Sequence, residues 1–223
     1  MSPPLALDID GTLTTPDGSV DPRVFGVLQG WDAPVVLATG KAFPYPVALC
    51  HFAGVPETVI AENGGVVCVD DTVRFAGDRG RAEQVIETFE ARGGETGWGE
   101  ADLANRWRET ELITRTTADE ALLREVAAEF EMEVIDTGYA YHVKTPGVEK
   151  GDGLELVAQE LGVEPDAFVA VGDSRNDAST FAVAGRSFAV ANADAVARDA
   201  ADIVLEEGFM DGALAALDAV DGS

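Results

Sequence analysis

Apolar positions along the chain come in short runs of four or five, each closed by small or polar residues. Leu5 to Ile9 is one such run, ending in Asp10-Gly11-Thr12. Pro34 to Ala38 is a second, closed by Thr39-Gly40. Thr58 to Ala61 is a third, followed by Glu62-Asn63-Gly64-Gly65. Runs of this length bounded by turn residues predict buried strands. Asp21-Pro22 opens a helix between the first two, with Asp at the cap and Pro in the first turn. A second helix covers roughly Tyr45 to Phe52. Val66 to Val69 and Thr72 to Phe75 flank Asp70-Asp71 as a hairpin. Strands alternating with helices predict a parallel sheet covered on both faces.

The pattern changes near residue 78. Arg79 to Arg92 is an amphipathic helix, followed by strand-like stretches around Leu103 to Glu109 and Leu112 to Thr116. Ala118 to Glu131 is another helix, and Glu133 to Asp136 with Tyr139 to Thr145 forms a hairpin around Thr137-Gly138. This α+β layout predicts a small domain at 78–148, inserted into a core made of 1–77 and 149–223. Strand–helix alternation then resumes. Helices are expected at Lys150 to Leu161, Asn176 to Ala184, Asp194 to Ala200 and Phe209 to Val220. Strands are expected at Ala167 to Val171, Ser187 to Val190 and Ile203 to Leu205. The expected fold class is α/β: a doubly wound, Rossmann-like parallel-sheet core with a smaller inserted α+β domain.

Composition narrows the function. The 223 residues carry 15 Lys and Arg against 41 Asp and Glu, a net charge of −26. Hydrophobic residues make up 46%, enough for a core, which argues against disorder despite the charge. The charge repels nucleic-acid phosphates and anionic membranes, so neither is an expected partner. No apolar run approaches the ~18 residues of a membrane helix. Met1-Ser2-Pro3-Pro4 has no signal-peptide character. Cys50 and Cys68 make neither a disulfide scaffold nor a four-cysteine zinc site, so a reduced, cytoplasmic protein is expected. Sparse lysine with abundant, evenly spread carboxylate resembles a halophile's surface, where concentrated salt screens self-repulsion. Most acids here are then solvation, and a catalytic one must be picked out by its context.

Ligands bind outside the carboxyl ends of parallel strands. Four such ends carry polar residues: Asp8-Ile9-Asp10, Ala38-Thr39-Gly40, Glu62-Asn63-Gly64 and Gly172-Asp173 through Asp177. Carboxylates gathered in one crevice repel unless a cation lies between them, and oxygen-only donors suit magnesium. Lys150, opening a helix that re-enters the core, supplies a second positive charge. Magnesium, lysine and carboxylates together suit phosphoryl chemistry. One of Asp8 and Asp10 would attack phosphorus, and the other would protonate the leaving oxygen and then activate water.

Asp8-Ile9-Asp10-Gly11-Thr12-Leu13, Ala38-Thr39-Gly40, Lys150 and Gly172-Asp173-Ser174-Arg175-Asn176-Asp177 resemble the four ordered motifs of the haloacid-dehalogenase-like phosphatases. Glu62 to Gly65 is similar to a segment in the branch whose cap follows the third core strand. Asn105 to Glu109 and Gly138 to His142 resemble cap segments of archaeal phosphoglycolate phosphatases. The resemblance implies Asp8 as nucleophile and Asp10 as general acid/base, which also binds magnesium through its backbone carbonyl. It implies Thr39 and Gly40 as the phosphate-binding turn and Lys150 as the residue steadying nucleophile and phosphoryl group. Asp8 and Asp173 are implied as metal ligands, with Asp177 as a ligand or a holder of metal-bound water, and Asn63 as a substrate contact. Lys41 stands where many relatives have Arg, and a lysine is a point charge rather than a fork. Phe181 replaces a common Met and reads as packing.

The implied substrate is a small phosphorylated carboxylic acid, 2-phosphoglycolate foremost, with sugar phosphates or a broad range of small esters as the alternative. A phosphoacceptor signalling module is the rival of another class. Arg106 and Arg108 alternate on the presumed strand and so share one face, which would meet the core's mouth and pair the substrate carboxylate. His142 contacts substrate or packs in its hairpin. Cys50 and His51 diverge by ~100° on a helix and cannot act as a pair. Trp31 and Trp98 read as core or loop cover. The chain is expected to act as a monomer or a homodimer.

Overall fold

The computed structural model describes residues 2–221. Each apolar run at the start becomes a strand: β1 (Leu5–Asp8), β2 (Val35–Ala38) and β3 (Thr58–Ala61). They are parallel, with Asp8 level with Ala38 and Ala38 with Ile60. Helix α1 (Arg23–Gly30) joins the first two and α2 (Pro44–Ala53) the next. Asp21 Oδ1 accepts from Arg23 N at 2.9 Å, so the Asp-Pro start works as expected. β4 (Val66–Val69) and β5 (Thr72–Phe75) turn back as an antiparallel edge hairpin.

The middle of the chain builds a second sheet. Helices α3 (Arg79–Ala91) and α4 (Glu120–Glu129) are capped by Asp78 and Asp119. They pack on β6 (Leu112–Arg115), β7 (Glu133–Asp136) and β8 (Ala140–Lys144), antiparallel in the order β6-β8-β7. Val85, Phe89, Leu123, Val126, Tyr141 and Val143 form their own core. Side chains alternate along a strand. Tyr141 and Val143 therefore face the helices, and His142 and Lys144 face the other way.

One expected strand is absent. Leu103 to Glu109 runs as successive turns, because Asp102 takes Asn105 N on Oδ1 at 3.1 Å and Asn105 Nδ2 on Oδ2 at 2.9 Å. The Asn105 side chain then pairs with both backbone groups of Ile113, N at 2.7 Å and O at 2.9 Å. Local side-chain bonds replace the ladder a strand would have made.

The first sheet is completed by β9 (Val169–Gly172), β10 (Arg186–Ala189) and β11 (Ile203–Val204), all parallel, in the order β11-β10-β9-β1-β2-β3-β4-β5. α5 (Lys150–Leu161), α6 (Ala178–Val183) and α7 (Ala195–Ala200) cover one face; α8 (Phe209–Asp218) joins α1 and α2 on the other. Leu5, Leu7, Val169 and Val171 point to the α1/α2/α8 side, and Ala6 and Ala170 to the α5 side. The strands bury both faces, which is why they read as continuous apolar runs. α6 starts later than expected. Residues 175–177 form a 3-10 turn, since Asp177 Oδ2 reaches back to the backbone N of Asp173 and Ser174, each at 3.0 Å. Among the described residues, no helix is long and apolar enough to cross a membrane.

Candidate active site

From β1 the sheet grows in two directions, through β2 and β3 and through β9, β10 and β11. The crevice lies at this switch, outside the carboxyl ends of β1 and β9. Asp8 ends β1, and Asp173 follows β9. Lys150 opens α5, whose start is held by a reciprocal bond pair between Glu149 and Asp152. Its Nζ lies 2.7 Å from Asp8 Oδ1 and 2.7 Å from Asp177 Oδ1, with no solvent exposure. Gly11 lets the chain turn over this cluster at φ +84°. A Cβ there would lie 1.9 Å from Asp173 Oδ2, so only glycine fits.

Burial pushes the Asp8 carboxyl well above the usual range; Lys150 opposes the shift, and Asp177 and Asp173 add to it. Burial also acts first on Asp173, and with repulsion from Asp177 it raises that group to about 7. Burial alone would lower Lys150, but Asp177 and Asp8 outweigh it and hold the ammonium charged. One lysine thus faces three acids.

The donor set fits a divalent, oxygen-seeking cation. Carboxylate oxygens of Asp8, Asp173 and Asp177 come within 4.8 Å of one another. Asp8 Oδ2 and Asp173 Oδ1 are buried without a hydrogen-bond partner. Orphaned anionic oxygens are costly unless a cation compensates them. Asp177 differs, since Lys150 and two backbone N–H groups already occupy its oxygens. It is better placed to orient Lys150 and the loop than to coordinate directly.

Asp10 stands at the edge of the cluster, in a cavity of about 420 Å³ also bordered by Asp8, Gly40, Lys41, Arg108, His142 and Asp173. Its Oδ1 lies 2.7 Å from Lys41 Nζ, and its Oδ2 accepts from Thr39 Oγ1 at 3.3 Å. Thr39 is buried, and its hydroxyl also takes Lys41 N at 3.0 Å. Lys41 therefore pairs with an acid of the site and lies 5.8 Å from the Tyr139 ring centroid.

The two arginines part company. With no strand at 103–109 they share no face. Arg106 is exposed over the Trp107 ring at 5.5 Å and does not border the cavity, whereas the expectation had both arginines at its mouth. Arg108 is buried beside the cavity; its Nη1 donates to Gly40 O at 3.1 Å and pairs with Glu111. His142 also borders the cavity, with Nδ1 at 2.8 Å from Glu111 Oε1 and 3.1 Å from Asn63 Nδ2. Asn63 Oδ1 accepts from Asn176 Nδ2 at 2.9 Å, joining the segment after β3 to the segment after β9. Cys50 is buried and His51 exposed, so they form no pair.

Two buried acids have no role assigned from the sequence. Glu62 and Asn63 have φ of +52° and +56°, a left-handed bend rare outside glycine. The bend is held because Glu62 accepts from Glu109 N, Thr110 N and Thr110 Oγ1 at 2.8–3.0 Å. Burial raises the Glu62 carboxyl, and Glu111 adds to it. Glu111 stays ionised: burial opposes this, but His142 and Arg108 outweigh burial. In a chain with 41 acids, neither stood out. The available signals were the position of Glu62 at a strand's carboxyl end and the three-residue spacing from Arg108 to Glu111.

Comparisons with known proteins place the chain in a family. A family model for haloacid dehalogenase-like hydrolases matches residues 5–92 and 107–217. A phosphoglycolate phosphatase from Halorubrum lacusprofundi is 65% identical over 95% of this chain and 94% of its own. One from Natronomonas pharaonis is 56% identical over 98% and 97%. The crystal structure of Thermoplasma acidophilum 0175 superposes with a TM-score of 0.85 at 23% identity, covering 99% of both chains, and so shares the fold. A doubly wound sheet, an inserted α+β unit and this end-to-end match lead to one assignment: the chain belongs to the haloacid dehalogenase-like hydrolase family.

Proposed function

We propose that the chain is a phosphomonoesterase whose substrate is 2-phosphoglycolate, the activity for which its relatives at 65% and 56% identity are named. The observation that carries this reading is Asp8, whose Oδ1 is held by Lys150 while its Oδ2 is unpartnered beside the cavity. Asp8 attacks phosphorus, and the P–O ester bond breaks as Asp10 gives its proton to the leaving glycolate oxygen. Asp10 then takes a proton from water, whose oxygen attacks the phosphorus of the aspartyl-phosphate. Phosphate leaves and the Asp8 carboxylate returns. Lys150 opposes negative charge on the transferring group, and Thr39 and Gly40 hold the phosphate turn.

Asp8 and Asp173, with the Asp10 carbonyl and with Asp177 in support, would hold magnesium. When bound, it supplies positive charge against the phosphoryl oxygens. Residues 78–148 act as a cap over a core of 1–77 and 149–223, excluding bulk water. Arg108 and His142 are its substrate contacts, Asn63 is one from the core, and Arg106 is left outside. The protein is expected to work in the cytoplasm as a monomer or homodimer.

The test is phosphate release from a panel of small esters, in high KCl with magnesium, for wild type and Asp8→Asn. Turnover that prefers 2-phosphoglycolate and vanishes with Asp8→Asn supports the reading. A flat profile across sugar phosphates favours a broad phosphatase. A single retained phosphate without turnover favours a signalling module.

A further inference from the structure

Glu111 lies outside the Asp8 cluster, with a side chain only 1% exposed. It does not border the cavity, yet two residues that do are bound to it. Its Oε1 takes Arg108 Nη1 and His142 Nδ1, the latter at 2.8 Å, and its Oε2 takes Asn63 Nδ2 at 3.2 Å. A carboxylate only accepts, so His142 carries its proton on Nδ1 in this pair and leaves Nε2 for a ligand. Arg108 directs Nε to Ala104 O at 3.1 Å and Nη1 to Gly40 O at 3.1 Å and Glu111. These contacts leave Nη2 as its free end. The backbone just before Glu111 is itself gripped by Glu62.

We propose that Glu111 is a positioning residue for substrate selectivity, holding Arg108 as the donor for the carboxylate end of the ester and fixing the His142 ring beside it. The inference rests on the 2-phosphoglycolate reading. An arginine side chain loses rotamer freedom when it binds, and fixing it beforehand removes that cost from binding. Glu111 also keeps Arg108 from pairing with other acids in a chain of net charge −26. An ester with the same two carbons but no carboxylate gains nothing from this arrangement.

Steady-state kinetics on 2-phosphoglycolate and on ethyl phosphate test it, for wild type, Glu111→Gln, Glu111→Asp, Arg108→Lys and the Glu111→Gln/Arg108→Lys double variant. Glu111→Gln is expected to raise KM for 2-phosphoglycolate by about tenfold, the scale of one charged hydrogen bond, with a smaller change in kcat. KM for ethyl phosphate moves less, so the preference collapses. Glu111→Asp restores part of it, and the double variant loses less than the two singles combined. Equal impairment of both esters overturns the proposal, because that marks a structural role. A lower KM for 2-phosphoglycolate also overturns it, because Glu111 would then only neutralise Arg108. If Glu111→Gln does not fold, Glu111→Asp carries the test by the same criterion. A wild type without preference overturns the substrate reading and this inference with it. A preference that survives Glu111→Gln overturns this inference alone.

Discussion

Lys150 Nζ lies 2.7 Å from Asp8 Oδ1, although 142 residues separate them in sequence. The whole inserted unit lies between the two. Bringing them together takes the return of α5 to the core and a fully buried ammonium whose charge is met on both sides, since Asp177 Oδ1 is also at 2.7 Å. Removing one partner of such a pair leaves an uncompensated buried charge. Lys150→Met is therefore expected to abolish turnover and to lower folding stability by about 3–5 kcal/mol, checked by chemical denaturation without added metal. Added magnesium should recover part of that stability if the orphaned oxygens bind it.

The raised carboxyls make metal-free stability depend on pH in a direction unusual for acids. Asp173 rises from 3.8 to about 7 on folding, and Asp8 moves the same way. A group whose folded pKa is raised stabilises the protein below its unfolded pKa and loses that contribution as pH climbs through the folded value. With chelator present, the melting temperature should fall as pH rises from about 4 to above about 7. Saturating magnesium should flatten the fall. A chelated protein whose melting temperature rises across that window would contradict the assignment of these two acids.

Gly11→Ala tests the cluster without removing a charge. The new Cβ would stand 1.9 Å from Asp173 Oδ2 in a backbone at φ +84°. The expected outcome is weakened magnesium binding by calorimetry and a loss of at least about 1 kcal/mol in stability, since the φ alone disfavours alanine.

Glu62→Gln should loosen the join between the bend after β3 and the segment carrying Arg108. The glutamine N–H₂ would face donors where carboxylate oxygens now accept from Glu109 N and Thr110 N. A stability loss of about 1–3 kcal/mol is expected. Faster amide exchange at 109–110 than in the rest of the chain would locate it.

Screening predicts the last outcome. With a net charge of −26, the melting temperature should rise as KCl increases from about 0.1 M to above about 2 M. An unchanged value would mean that self-repulsion is already offset by local pairing.

Much of this was legible in the chain. The strands Thr58–Ala61, Val66–Val69 and Thr72–Phe75 and the helix Lys150–Leu161 match the expected limits, because period and turn residues are local properties. Asp8, Asp10, Lys150 and Asp173 can be singled out from the chain because each stands at a strand end or helix start that a parallel sheet gathers on one edge. Leu103 to Glu109 alternates like a strand, but bonds between the Asp102 and Asn105 side chains and the local backbone compete with the ladder. Without that strand, Arg106 and Arg108 share no strand face.

The sequence by itself determined the alternation of elements, the surface charge and the residue types that meet at the sheet's switch point, since periodicity and topology rules act on near neighbours. Only the tertiary structure decided which of 41 acids are buried and what each one holds. Glu62 and Glu111 differ from surface glutamates through partners 47 and 31 residues away, Glu109 and His142. Burial and long-range hydrogen bonding are properties of the packed chain, and no local string encodes them.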